Sequence, residues 1–172
     1  MNCPACDHEL KLVQVTGVKT HVCEGSCGGL WFEWQEIKKL KDRNAGAGAA
    51  LLHVERAEGV HVFRDIQHPC PKCIHTLLYR HCFSKPFSYE IDQCAKCAGF
   101  WLDVGALAHL PLQSPTESDR ETAQAYFKSL FEESLNPDNL THPDAHEAAQ
   151  IIVNLFRFLT PQPLFPTEYL HR

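Results

Sequence analysis

Eight of the nine cysteines fall into four close pairs, and the ninth, Cys82, stands apart. Cys70 and Cys73 form one Cys-x-x-Cys, Cys94 and Cys97 another, and about twenty residues of strand-like sequence separate them. Nearer the amino terminus Cys3 and Cys6 repeat the motif, followed by Cys23-x3-Cys27. Pairs at this spacing are the signature of a structural zinc site, in which four thiolates close a tetrahedron around the ion. Such a site keeps no position for water or substrate, so its chemistry is to hold a fold together. The expected ligands are Cys3, Cys6, Cys23 and Cys27 for a first Zn²⁺, and Cys70, Cys73, Cys94 and Cys97 for a second. Rubredoxin-like iron would use the same sulfurs. Redox dithiols of the thioredoxin type belong in a βαβ context, which the sequence lacks. Disulfides fit poorly with an odd cysteine count and no export signal at the amino terminus.

Four sulfurs converge only if the chain between the pairs doubles back. Residues 10–15 and 18–23 flank Thr16-Gly17, a hairpin pattern that returns the chain to the second pair. Gly28 and Gly29 then suit a turn whose N–H groups approach the thiolates. Beyond it, Trp31, Trp34, Ile37 and Leu40 recur every three residues and suggest a short helix starting near Glu33. The second copy follows the same order. Cys70 and Cys73 stand 67 residues after Cys3 and Cys6, and Cys97 stands 70 after Cys27. Its strands are expected over 76–83 and 87–93, and Asp103 suits the N-cap of a helix carrying Leu107 and Leu110. Period and order together mark an internal duplication.

The segments CPAC…CEGSCGGLWFE and CPKC…CAKCAGFWLD resemble the bacterial zinc-finger family named for the zinc ribbon of transcription factor IIB. The resemblance covers about residues 1–42 and 68–110. It implies two tandem zinc ribbons ligated by the eight paired cysteines, and it suggests nucleic-acid or protein binding without naming an activity. Two positions depart from the pattern: the extra residue between Cys23 and Cys27, and Ala106 where the family usually carries a Glu.

The expected fold is therefore a small metal-stabilised α+β chain: ribbon one over 1–44, a linker over 45–67, ribbon two over 68–112 and an acidic helical tail over 113–172. Each ribbon is expected as a β-hairpin plus a short helix. The linker opens on a flexible Ala/Gly stretch, and its end, 59–66, alternates like a strand. In the tail, apolar faces over about 118–135 and 144–159 predict a helical hairpin that docks on the ribbons, on a second copy or on a partner. Units of about 40 residues rarely fold on apolar burial alone, which is a second argument for metal.

Charge narrows the function. The formal net charge is −5, and the last 60 residues hold nine acidic groups against four basic ones. Each four-thiolate zinc centre adds about −2. An acidic chain is a poor match for phosphate backbones, which select a clustered cationic face. Lys38, Lys39, Lys41 and Arg43 make the best basic cluster, yet they sit at a helix end, where cations complement the dipole. Trp31 and Trp101 could stack on bases, but in a module this small the larger expectation is core packing over the zinc knuckle. His8 and His21 lie near site one, where replacing a thiol ligand is the lesser expectation, and His142 and His146 share a helical spacing without the Glu of a metalloprotease motif. Cys82 reads as a half-buried strand residue.

No catalytic constellation stands out, and no apolar run is long enough for a membrane helix. The sequence points to a cytoplasmic, non-enzymatic adaptor with two structural zinc ribbons, a protein partner and self-association through the tail. A nucleic-acid-binding ribbon protein is the second expectation, and a redox or metal-handling protein the third.

Overall fold

The computed structural model describes residues 1–40, 45–63, 66–83, 89–103 and 154–159. Its centre is one antiparallel sheet of six strands: β1 (Lys11–Val15), β2 (Val18–Val22), β3 (Leu30–Phe32), β4 (Leu78–Phe83), β5 (Tyr89–Cys94) and β6 (Phe100–Leu102). Their spatial order is β1-β2-β3-β6-β5-β4. Each ribbon supplies three strands, and the sheet runs unbroken across the pair.

The hairpin β1–β2 closes on Thr16 and Gly17, both at positive φ, 49° and 86°. Two consecutive left-handed residues make the turn whose twist matches its strands. The third strand of each ribbon departs from the expected hairpin plus helix. Leu30-Trp31-Phe32 and Phe100-Trp101-Leu102 are strands, all six residues buried. A strand covered on both faces has no polar–apolar alternation, so it does not announce itself as one. Trp31 accordingly belongs to a strand, and the helix α1 is only Trp34–Ile37.

The third strands pair with each other, Leu30 opposite Leu102, Trp31 opposite Trp101 and Phe32 opposite Phe100. This register places the ribbons about an approximate two-fold axis through the tryptophans. Residues directly opposite share a face, so one row of side chains crosses the sheet: Leu12, His21, Trp31, Trp101, Asp92, Arg80.

Successive residues point to opposite faces. Trp31 and Trp101 join an apolar cluster with Leu10, Leu78 and the buried cysteines of both ribbons. Leu30, Phe32, Phe100 and Leu102 join a second cluster with Val18, Val22 and Ile91. Two segments cover this aliphatic face. One is a 3-10 helix, Ala49–His53, which buries Leu51 and Leu52. The other is the helical stretch α2 (154–159), which buries Leu155, Phe156, Phe158 and Leu159. Phe158 meets Phe32 edge-on at 6.4 Å between ring centres. Gly46 and Gly48 donate N–H bonds of 2.8 Å to the Arg157 and Phe158 carbonyls. A Cβ on Gly48 would stand 2.3 Å from the Phe158 ring, so only glycine admits α2 here.

Of the expected helical hairpin, residues 154–159 are described and dock on the chain's own sheet; the remainder, with Ala106, His142 and His146, lies outside the described residues. The expected strand over 59–66 does not form within 59–63. Its backbone makes single bonds, Phe63 donating its N–H to the Ala5 carbonyl at 3.1 Å and accepting from His68, while Val62 packs on the tryptophan–cysteine cluster. Among the described residues no helix is long and apolar enough to cross a membrane.

Candidate metal centres

Each ribbon presents its cysteines from two reverse turns. The first pair sits in the turn before the outer strand, the second between the middle and third strands. In ribbon one the Cys23 carbonyl accepts the Gly28 N–H and the Cys23 N–H donates to the Gly29 carbonyl, both at 2.9 Å. Ribbon two repeats this, with Ala98 N–H to the Cys94 carbonyl at 2.8 Å and Cys94 N–H to the Gly99 carbonyl at 2.9 Å. These bonds fold the loop back so that both sulfurs face the opposing pair.

The structure brings together all eight expected ligands. The Sγ atoms of Cys3, Cys6, Cys23 and Cys27 lie within 4.8 Å of one another, as do those of Cys70, Cys73, Cys94 and Cys97. Cys3 to Cys27 and Cys6 to Cys23 are each 3.5 Å, and Cys70 to Cys97 is 3.7 Å. A tetrahedron with Zn–S bonds of about 2.3 Å separates its sulfurs by about 3.8 Å. All eight are free thiols, alternately buried and half-buried within each set. Donor set, number and spacing thus fit one zinc ion per ribbon.

Electrostatics gives the same result. Crowded thiols cannot all ionise side by side, so they titrate apart. Cys23 is pushed down to about 2 by hydrogen bonds from Cys27 and Cys3, while Cys3 is raised by its bonds with Cys23 and Cys27. In ribbon two burial raises Cys70 to about 11 and also raises Cys97, whereas backbone N–H groups of Cys97 and Lys96 hold Cys94 down against its own burial. A divalent cation at the centre removes the conflict, because it stabilises every thiolate at once. Backbone donors are already aimed at sulfur: Cys73 N–H to Cys70 Sγ at 3.3 Å and Cys97 N–H to Cys94 Sγ at 3.5 Å.

The extra residue in the Cys23–Cys27 loop has a structural use. Ser26 is buried, its hydroxyl lies 3.4 Å from Cys6 Sγ, and its backbone bridges Arg56 of the connector. Gly25 N–H donates to the Glu55 carbonyl at 2.8 Å, and Ala57 N–H to the Ser26 carbonyl at 3.0 Å. The Arg56 side chain covers Gly28, where a Cβ would stand 2.8 Å from its Nε. Burial works against ionisation of Cys6, but the Ser26 hydroxyl and a backbone bond from His8 lower it overall. His8 and His21 join neither ligand set.

Both tryptophans are core residues, and each reaches across the axis. Trp101 lies on Gly29, where an added Cβ would be 2.1 Å from its ring, and Trp31 lies on Gly99, where the distance would be 2.4 Å. The sequence leads one to expect each indole on its own knuckle. The β3–β6 pairing sends each onto the other ribbon's.

Sequence reasoning missed a buried polar group beside site two. The His68 ring is held between the Asp92 carboxylate (Nδ1···Oδ2 2.9 Å) and the Phe63 carbonyl (Nε2···O 2.6 Å), and Arg80 Nε donates to Asp92 Oδ1 at 3.2 Å. The one signal was position, since Asp92 and Arg80 alternate onto the cysteine-bearing face of their strands.

Residues 2–43 and 69–111 match the model of a family described as transcription factor zinc-finger, a zinc ribbon, once in each half of the sheet. No curated protein and no solved structure matches the chain.

Proposed function

From two tandem copies of the transcription factor zinc-finger ribbon, we propose a non-enzymatic adaptor whose zinc ions are structural and whose ribbon surface binds a protein partner. The observation that carries the reading is the placement of the aromatic residues. Trp31 and Trp101 are 0 % and 2 % exposed and committed to the inter-ribbon core, so neither offers a face to a base. The second ribbon exposes three large apolar side chains: Ile74, Leu77 and Tyr79 are 72 %, 53 % and 61 % accessible within six residues of one another. They flank the start of β4, the outer strand of the sheet, whose edge is bonded there to the preceding turn, the Leu78 N–H donating to the His68 carbonyl at 2.8 Å.

The nucleic-acid reading keeps one observation in its favour besides the family description. Lys38 lies 4.7 Å over the Trp34 ring at the end of α1, beside Lys39, whose ammonium pairs with Glu36. Titrating labelled single- and double-stranded DNA and RNA with the zinc-loaded full chain across salt separates the two. Weak binding without a steep salt slope is expected; tight binding that falls steeply with salt overturns the adaptor reading. A partner recovered from nuclease-treated lysate should be lost with Tyr79→Glu.

A further inference from the structure

We infer that the two metal sites load as one cooperative unit, zinc in either ribbon raising the affinity of the other. Each ligand loop is roofed by the other ribbon's indole. Gly29, two residues after Cys27, carries Trp101, and Gly99, two residues after Cys97, carries Trp31. Both glycines are also bonded into their own ligand loops, their carbonyls accepting the N–H groups of Cys23 and Cys94 at 2.9 Å. The contact therefore bears on the turn that aims the sulfurs. A single apolar cluster contains Cys3, Cys23, Cys70 and Cys94 with both tryptophans, so the two sites share one core. Lys72, between Cys70 and Cys73, adds a bond of 2.7 Å to Glu33, at the end of the other ribbon's third strand.

A ribbon of this size depends on its metal to fold. When one ribbon loses zinc, its third strand and its indole leave the other. The remaining ribbon then exposes a paired edge that is buried in the intact protein, Leu30–Phe32 or Phe100–Leu102. The one-zinc state lacks an interface that the two-zinc state has, and that difference is a coupling free energy shared equally by the sites.

The test is a zinc titration of the metal-free, reduced full chain, read by native mass spectrometry as zero-, one- and two-zinc species. Independent equal sites put about half of the chains in the one-zinc form at half-saturation, and tenfold coupling lowers it to about a quarter. A one-zinc fraction of a quarter or less is expected, and a fraction of half or more overturns the inference. Gly99→Ala keeps all eight ligands while pushing Trp31 off the second loop. Its one-zinc fraction should rise toward half, and an unchanged fraction would rule out the indole contact as the coupling.

Discussion

Ribbons one and two share a strand order and a ligand geometry, yet they are closed over their metal by different means. Ribbon one uses backbone. The connector at 55–57 is bonded to 25–26, Ser26 reaches Cys6, and Arg56 covers Gly28. Ribbon two has no counterpart of the extra loop residue and relies on side chains, the buried His68 and Asp92, each two residues before a cysteine, with the half-buried Arg80 bonded to Asp92. Backbone strain divides the same way. After the second cysteine of each loop, ribbon one has Gly28 at φ 79°, while ribbon two has Ala98 at 54°. After the first pair, ribbon one has Asp7 at φ 62° and ribbon two has Ile74 at 36°. Asp tolerates the left-handed region; a β-branched residue does not. Duplication copied the metal site, and the two copies then met the same turn requirements with unequal chemistry. At these two ligand turns ribbon two carries the greater strain, whereas ribbon one's β-branched residue at positive φ, Thr16, stands in the β1–β2 turn; ribbon two should therefore depend more heavily on its metal.

The largest effect expected is from Cys97→Ser. It should remove the second zinc and unfold ribbon two, seen as loss of one metal per chain by mass and as lost cooperativity in thermal melting. Cys27→Ser should leave ribbon one more residual structure, because the connector still holds its loop; equal collapse by hydrogen exchange would erase the contrast. Gly28→Ala places a Cβ against Arg56 at positive φ and should cost about 1–3 kcal/mol in chemical denaturation. Ile74→Asn should act in the opposite direction and stabilise by about 1 kcal/mol through relief of strain. Ala98→Gly should gain less, about 0.5 kcal/mol, since glycine also loosens the unfolded chain. Cys82→Ser should leave two zinc ions bound, and loss of one would move Cys82 into a ligand set.

The duplication and the two four-cysteine clusters were legible from spacing alone, because metal geometry fixes residue type and separation with little latitude. The hairpins were legible where a turn pair such as Thr16-Gly17 punctuated alternation. The third strands were not, for Leu30-Trp31-Phe32 is apolar throughout and three residues carry no period. Nor was their pairing: nothing in either triplet specifies the other, yet that contact turns two ribbons into one sheet and moves each tryptophan across the axis. The connector misled in the other direction. Val60, Val62 and their neighbours alternate, and Val62 packs on the tryptophan–cysteine cluster, but the backbone makes isolated bonds to Ala5 and His68 instead of a ladder. The His68–Asp92 contact joins residues 24 apart in sequence, and only the register of β4 and β5 brings Arg80 to it.

The central claim is that eight cysteines close two metal sites with sulfur alone. Zinc-edge X-ray absorption on the purified, reduced full chain, with metal content measured on the same sample, tests it most directly. Two zinc ions per chain, each with four sulfurs at about 2.3 Å, are expected. Fewer than two ions, or a nitrogen or oxygen neighbour at about 2.0 Å, would contradict it.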